Sequence, residues 1–98
     1  MINTLKILNL GRIVVIVLII SACTDNKTAN EYLSEAEMSV QANNHAQAII
    51  QLKNAVVIEP KNGDIRTELA KSYLSRGSYV LAEKEFNRAK DSLFEARL

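Results

Sequence analysis

The stretch DIRTELAKSYLSRGSYVLAEKEFNRA, Asp64 to Ala89, decides the fold. It reads as a helix, a tight turn at Gly77 and a second helix, and it overlays the chain 34 positions earlier. Ala70, Gly77, Tyr79, Ala82, Phe86 and Ala89 stand over Ala36, Asn43, His45, Ala48, Leu52 and Ala55. Such a fixed period marks stacked copies of one supersecondary unit. The residue types have physical reasons. The alanines allow two helices to cross closely, where a larger side chain would push the backbones apart. Tyr73, Tyr79 and Phe86 are expected to fill the gaps beside those crossings. Gly77 can end its helix in a left-handed conformation at little steric cost.

The second copy resembles the tetratricopeptide repeat (TPR) family at Leu69, Ala70, Tyr73, Gly77, Tyr79, Ala82, Phe86 and Ala89; the first adds Ala36, Ala48, Leu52, Ala55 and Pro60. The resemblance implies an all-α fold, two TPR helix-turn-helix units forming a short right-handed α-solenoid, preceded by a hydrophobic signal-peptide helix. The units span 29–62 and 63–98, the second with an extended C-terminal helix. Glu35, Ser39 and Asn43 replace Leu69, Tyr73 and Gly77 in the first copy, which is therefore the weaker match, as terminal repeats often are.

The local signals place four helices. Thr28 and Glu31 have capping-box spacing, so the first helix is expected from Ala29 to about Ala42, with Tyr32, Leu33, Ala36 and Val40 packing. Asn43 and Asn44 form a turn. The second runs from His45 to Ile58, with Ala48, Ile49, Leu52, Ala55 and Val56 at helical spacing. Pro60 stops it, and Lys61-Asn62-Gly63 reads as a turn. The third takes Asp64 to Ser75 and packs through Ile65, Leu69, Ala70 and Tyr73. Ser78 is the expected N-cap of the fourth, which begins at Tyr79 and meets no proline or glycine before the end. Leu93, Phe94 and Leu98 extend its apolar surface past the recognised repeat, either docking on the chain's own second unit or forming an edge that meets another protein or another copy.

The N-terminal part has a different character. Lys6 and Arg12 precede an unbroken Val, Ile and Leu run from Ile13 to Ile20, then small residues, the layout of a secretory signal peptide. The run is short for a membrane span, which needs about 20 apolar residues. Ile20, Ser21, Ala22 and Cys23 resemble the bacterial lipobox. The resemblance implies removal of residues 1–22, a diacylglyceryl group on the Cys23 thiol and residues 23–28 as a lipidated tether. The alternative is an uncleaved, bitopic anchor with an incidental thiol. Thr24 rather than aspartate after the cysteine favours the outer over the inner membrane, by the sorting rule of such lipoproteins, with the domain facing the periplasm.

Composition narrows the partners. The 98 residues carry a net charge of +1, and removal of 1–22 leaves ten basic and eleven acidic side chains, scattered along the chain. No basic cluster favours nucleic acid. Cys23 is the only cysteine, so neither an intramolecular disulfide nor a cysteine metal cluster can form. The remaining 76 residues bury only about 60% of their unfolded surface, and about three repeats are usually needed for a stable solenoid. A partner that completes the stack, or a longer array of which this is a shortened form, answers that deficit.

No catalytic constellation is visible, and no cofactor is expected beyond the Cys23 lipid. His45 reads as a turn residue, and Glu83, Glu85, Lys84, Arg88 and Lys90 as a solvated face. In the TPR family the first helix of each unit lines a concave groove for a peptide or helix. Carried over, that groove would present Asn30, Leu33, Glu37, Val40 and Gln41 from the first unit and Asp64, Thr67, Lys71, Leu74 and Ser75 from the second. From Ala48 to Ala89, through Ile49-Ile50-Gln51-Leu52-Lys53-Asn54-Ala55, Glu59-Pro60 and Ala82-Glu83-Lys84-Glu85-Phe86, the chain also resembles the TPR-repeat lipoprotein of the exosortase and PEP-CTERM system. This implies a non-catalytic, lipid-anchored adaptor in exopolysaccharide or protein export; a pilus or outer-membrane assembly lipoprotein is the alternative, and a small membrane subunit without lipid another.

Overall fold

The computed structural model describes residues 26–97; Ile20, Ser21, Ala22, Cys23 and the apolar run before them lie outside the described residues, as does Leu98. The described residues form four α-helices and no strand: α1 (Ala29–Gln41), α2 (His45–Ile58), α3 (Gly63–Ser75) and α4 (Tyr79–Ala96). Each packs on the next, α1 on α2, α2 on α3 and α3 on α4.

Side chains and turns satisfy the helix ends. At α1 the Glu31 amide donates to Thr28 Oγ1 (3.2 Å) while the Thr28 amide donates to Glu31 Oε2 (2.8 Å), the capping box that the spacing predicts. Asn44 Oδ1 accepts from the Gln47 amide to open α2. Asn62 Oδ1 accepts from the Asp64 and Ile65 amides, so α3 begins at Gly63 and not, as expected, at Asp64. Ser78 occupies the N-cap position of α4 but makes no side-chain cap bond. Its ψ is 66°, close to the 72° of Asn44, and at that angle the longer asparagine side chain reaches the next turn's amide while the serine hydroxyl does not.

Both units make the same turn. After α1 the Asn43 amide donates to Val40 O and the Asn44 amide to Ser39 O; after α3 the Gly77 amide donates to Leu74 O and the Ser78 amide to Tyr73 O. This pair of bonds is the Schellman motif, and its penultimate residue must be left-handed. Asn43 (φ 58°) and Gly77 (φ 77°) are.

The core runs between the helices as a column of small residues capped by larger ones. Ala36, Ala48, Ala55, Ala70, Ala82 and Ala89 are all buried, and Leu52 and Ile65 are the largest fully enclosed side chains. Burial of each of these two stabilises the fold by about 2 kcal/mol. Tyr32, Leu33, Ile49, Val56 and Tyr73 pack on the column from its margins. In α1, Ser39 replaces the tyrosine of the second unit and holds α2 by a polar link, its hydroxyl 2.8 Å from Gln51 Oε1.

Three expectations are corrected. Tyr79 is 69% exposed and does not fill a gap at a crossing. Phe86 is 38% exposed where its counterpart Leu52 is 1% exposed. The reason is shared: α3 covers Leu52, whereas no described helix follows α4. Glu85 does not belong to a solvated face; it is buried.

Gly63 stands where the first unit has Ala29. A Cβ there would lie 3.2 Å from both Ala89 O and Leu93 Cγ. The crowding follows from length. α2 ends before Pro60, but Phe94 occupies the corresponding position in α4, which continues to Ala96 and lays Leu93 across the start of α3.

Candidate interaction surfaces

α1 and α3 flank a hollow of about 200 Å3 lined by Leu33, Ala36, Glu37, Val40, Gln41, Leu52 and Glu68. Its floor is apolar and its rim carries two carboxylates and an amide. A smaller hollow adjoins it at Val40 and Glu68, with His45, Lys71, Ser72 and Ser75. Glu68 Oε1 accepts from Lys71 Nζ at 2.8 Å, which raises the Lys71 pKa through the hydrogen bond first and the carboxylate charge second. His45 Nδ1 is buried without a hydrogen-bond partner. Among the described residues no group of histidine, cysteine and carboxylate side chains could hold a metal ion.

The structure thus brings together Leu33, Glu37, Val40 and Gln41, and sets Lys71 and Ser75 beside them. Thr67 is elsewhere. It follows Gly63 by one helical turn, its hydroxyl donating to Gly63 O, and so shares the face of α3 that meets α4. Asn30, Asp64 and Leu74 are exposed and line neither hollow. Glu68 is the groove residue that sequence reasoning missed, although its three-residue spacing from Lys71 places both on one face.

A second surface lies at the C-terminal edge, where Thr67, Phe86, Ala89, Lys90, Leu93, Phe94 and Arg97 surround an open hollow of about 420 Å3. Leu93 does dock on the chain's own second unit, at Gly63, yet it is still half exposed, and Phe94 is 66% exposed.

A partly buried polar bridge joins α3 to α4 and to the turn before α3. Arg66 Nε donates to Pro60 O and Arg66 Nη1 to Glu85 Oε2, both at 2.8 Å, with each ionic side chain only 11% exposed. Arg88 reaches the other Glu85 oxygen at 3.6 Å. One guanidinium therefore ties the inter-unit turn to α3 and α4. Burial, followed by the Glu85 charge, raises the Tyr73 phenol above its ordinary pKa. The signal for this bridge was Arg66 itself, a cation where the first unit has the packing residue Tyr32.

Repeated helix pairs with a common turn, small residues at each crossing and a hollow between first helices have a counterpart among known sequences. The chain is 36% identical over 52 residues to human (Homo sapiens) Superkiller complex protein 3, covering 53% of this chain and 3% of that protein. It is 31% identical over 77 residues to the mouse (Mus musculus) protein of the same name, covering 74% of this chain and 5% of that protein. These relatives contain TPRs. The fold is TPR-like. The chain spans only 3 to 5% of the length of the curated relatives it matches. No protein-family model matches it, and no solved structure matches it significantly. The likeness extends to the TPR-like helical architecture and hints at a protein-interaction scaffold.

Proposed function

We propose that this protein is a non-catalytic, lipid-anchored TPR adaptor of the bacterial envelope whose groove between α1 and α3 holds a segment of another protein. The hollow over Leu33, Val40 and Leu52 carries the reading. Its apolar floor takes an aliphatic side chain, and Glu37, Gln41 and Glu68 on its rim take amide or cationic donors beside it. The partner is accordingly a peptide or helix with an apolar anchor flanked by lysine or arginine. Attachment at Cys23 would raise the effective concentration of the groove at the membrane, since a linked site acts intramolecularly. The resemblance from Ala48 to Ala89 supports exopolysaccharide or PEP-CTERM protein export as the setting.

Two measurements test this reading. Intact mass of the protein from bacterial membranes, with and without inhibition of signal peptidase II, is expected to show a product beginning at lipidated Cys23 and an uncut form under the inhibitor. An unmodified chain that keeps Met1 in both conditions overturns the anchor. A photo-crosslinking residue at Gln41 is expected to capture a discrete partner that the same residue at Val57, exposed on α2, does not. Equal capture at both positions overturns the groove.

A further inference from the structure

The internal repeat shows what belongs on the C-terminal edge. Residues 52 and 86 are equivalent, and so are 55 and 89. In the first unit α3 covers this surface and supplies Ile65 and Leu69, four residues apart and both buried. In the second, Phe86 and Phe94 face outward with Leu93 between them. Two cations, Lys90 and Arg97, stand among these side chains, and no acid lines the hollow. Neither cation makes an ion pair among the described residues, where Glu85 and Glu95 of α4 pair with Arg66, Arg88 and Lys61.

We propose that the α4 edge docks an acidic amphipathic helix from a second protein, which lies on α4 as α3 lies on α2. Apolar residues at i and i+4 would occupy the places taken by Ile65 and Leu69, and flanking Asp or Glu would meet Lys90 and Arg97. The reading adds a second surface to the adaptor and does not depend on the groove.

A second copy of this chain does not fit. Where α3 has Ile65 and Leu69, α1 has Glu31 and Glu35, engaged with Thr28 and Lys27. Stacking α1 of one copy on α4 of another would bury both carboxylates against Phe86. Two-fold pairing of α4 with itself fails for another reason: Lys90 lies midway between Phe86 and Phe94, so the axis would set Lys90 against Lys90. A buried like-charge contact opposes association.

The test uses the full chain in lipid nanodiscs, with empty nanodiscs as control, and fluorescence anisotropy of a labelled, helix-stapled probe. The probe is the Gly63–Ser75 sequence with Arg66 and Lys71 replaced by glutamate, which keeps the Ile and Leu spacing and makes it acidic; a second probe keeps the basic residues and replaces Asp64 and Glu68 by glutamine. The acidic probe is expected to bind at least about 10-fold more tightly than the basic one, and Phe94→Glu to weaken it about 10-fold or more. Lys90→Glu is expected to reverse the preference. Phe94 and Lys90 are exposed, so circular dichroism should show unchanged helix content and melting for both variants. Equal binding of the two probes, or binding that survives Phe94→Glu, overturns the proposal. So does dimerisation of the chain in sedimentation that Phe94→Glu abolishes, since the second copy is then the occupant. Val40→Asp separates the two surfaces. It should abolish groove crosslinking from Gln41 while leaving probe affinity at the edge unchanged, and loss of edge binding in that variant also overturns the proposal.

Discussion

Asn43 and Gly77, one repeat apart, are the two described residues with left-handed backbone, and each closes the same pair of hydrogen bonds at the end of its unit's first helix. A side chain at Gly77 would meet nothing within 4 Å, so only the dihedral penalises it. Gly77→Ala is expected to destabilise by about 1 kcal/mol and to lower Tm by about 4–8 °C. Asn43→Gly should be neutral or stabilising, because glycine takes this conformation more readily than asparagine. Thermal melts of both variants check the pair; an unaffected Gly77→Ala would mean that the turn does not hold its conformation in solution.

Arg66 and Glu85 form the one ion pair whose partners are both largely withdrawn from solvent among the described residues. Removing either partner leaves a poorly solvated charge. Arg66→Met and Glu85→Met are each expected to cost about 3 kcal/mol, and the double variant less than the sum of the two. Urea unfolding of the four proteins of the cycle measures the coupling. Additive losses would show that the pair is solvated.

Tyr73 makes stability depend on alkaline pH. Its raised pKa means that the fold favours the neutral phenol, through burial first and the Glu85 charge second. That contribution is whole below the ordinary tyrosine pKa of about 10 and is lost as pH rises through the higher folded value. Tyr73→Phe should therefore lose less stability than the parent above about pH 10, while Tyr79→Phe, at an exposed position, should follow the parent curve. Parallel curves for all three would remove Tyr73 from the account.

Leu52 and Phe86 occupy equivalent positions with unequal cover. Leu52→Ala opens a cavity beneath α3 and is expected to cost about 3 kcal/mol. Phe86→Ala removes a larger side chain but from a partly solvated site, and should cost about 1 kcal/mol. Denaturant midpoints decide between this order and the reverse, which side-chain size alone would give.

The small-residue spacing of Ala36, Ala48, Ala55, Ala70, Ala82 and Ala89 was legible because helix crossings tolerate little else, and Thr28 with Glu31 announced the first helix. What the sequence concealed depended on contacts between units. Phe86 and Tyr79 have the types of packing residues, but their exposure depends on whether another helix covers α4. Glu85 sits in a charged run that reads as surface, and only Arg66, 19 residues earlier, explains its burial. The groove was half legible: of the residues expected from α1, Leu33, Glu37, Val40 and Gln41 line it and Asn30 does not, whereas Thr67 of α3 lies with α4 side chains at the C-terminal edge.

The Leu93 contact with Gly63 also bears on how such a chain can be cut and recombined. A shuffling experiment guided by the 34-residue period would excise residues 63 to 96 as one cassette and accept any equivalent cassette in its place. The glycine at the start of this cassette is matched to the leucine near its end, so the two must travel together. Grafting Ala29 in place of Gly63, or ending the helix at a proline where Phe94 stands, breaks the match from opposite sides. The exchangeable module is thus defined by a contact between its own two ends.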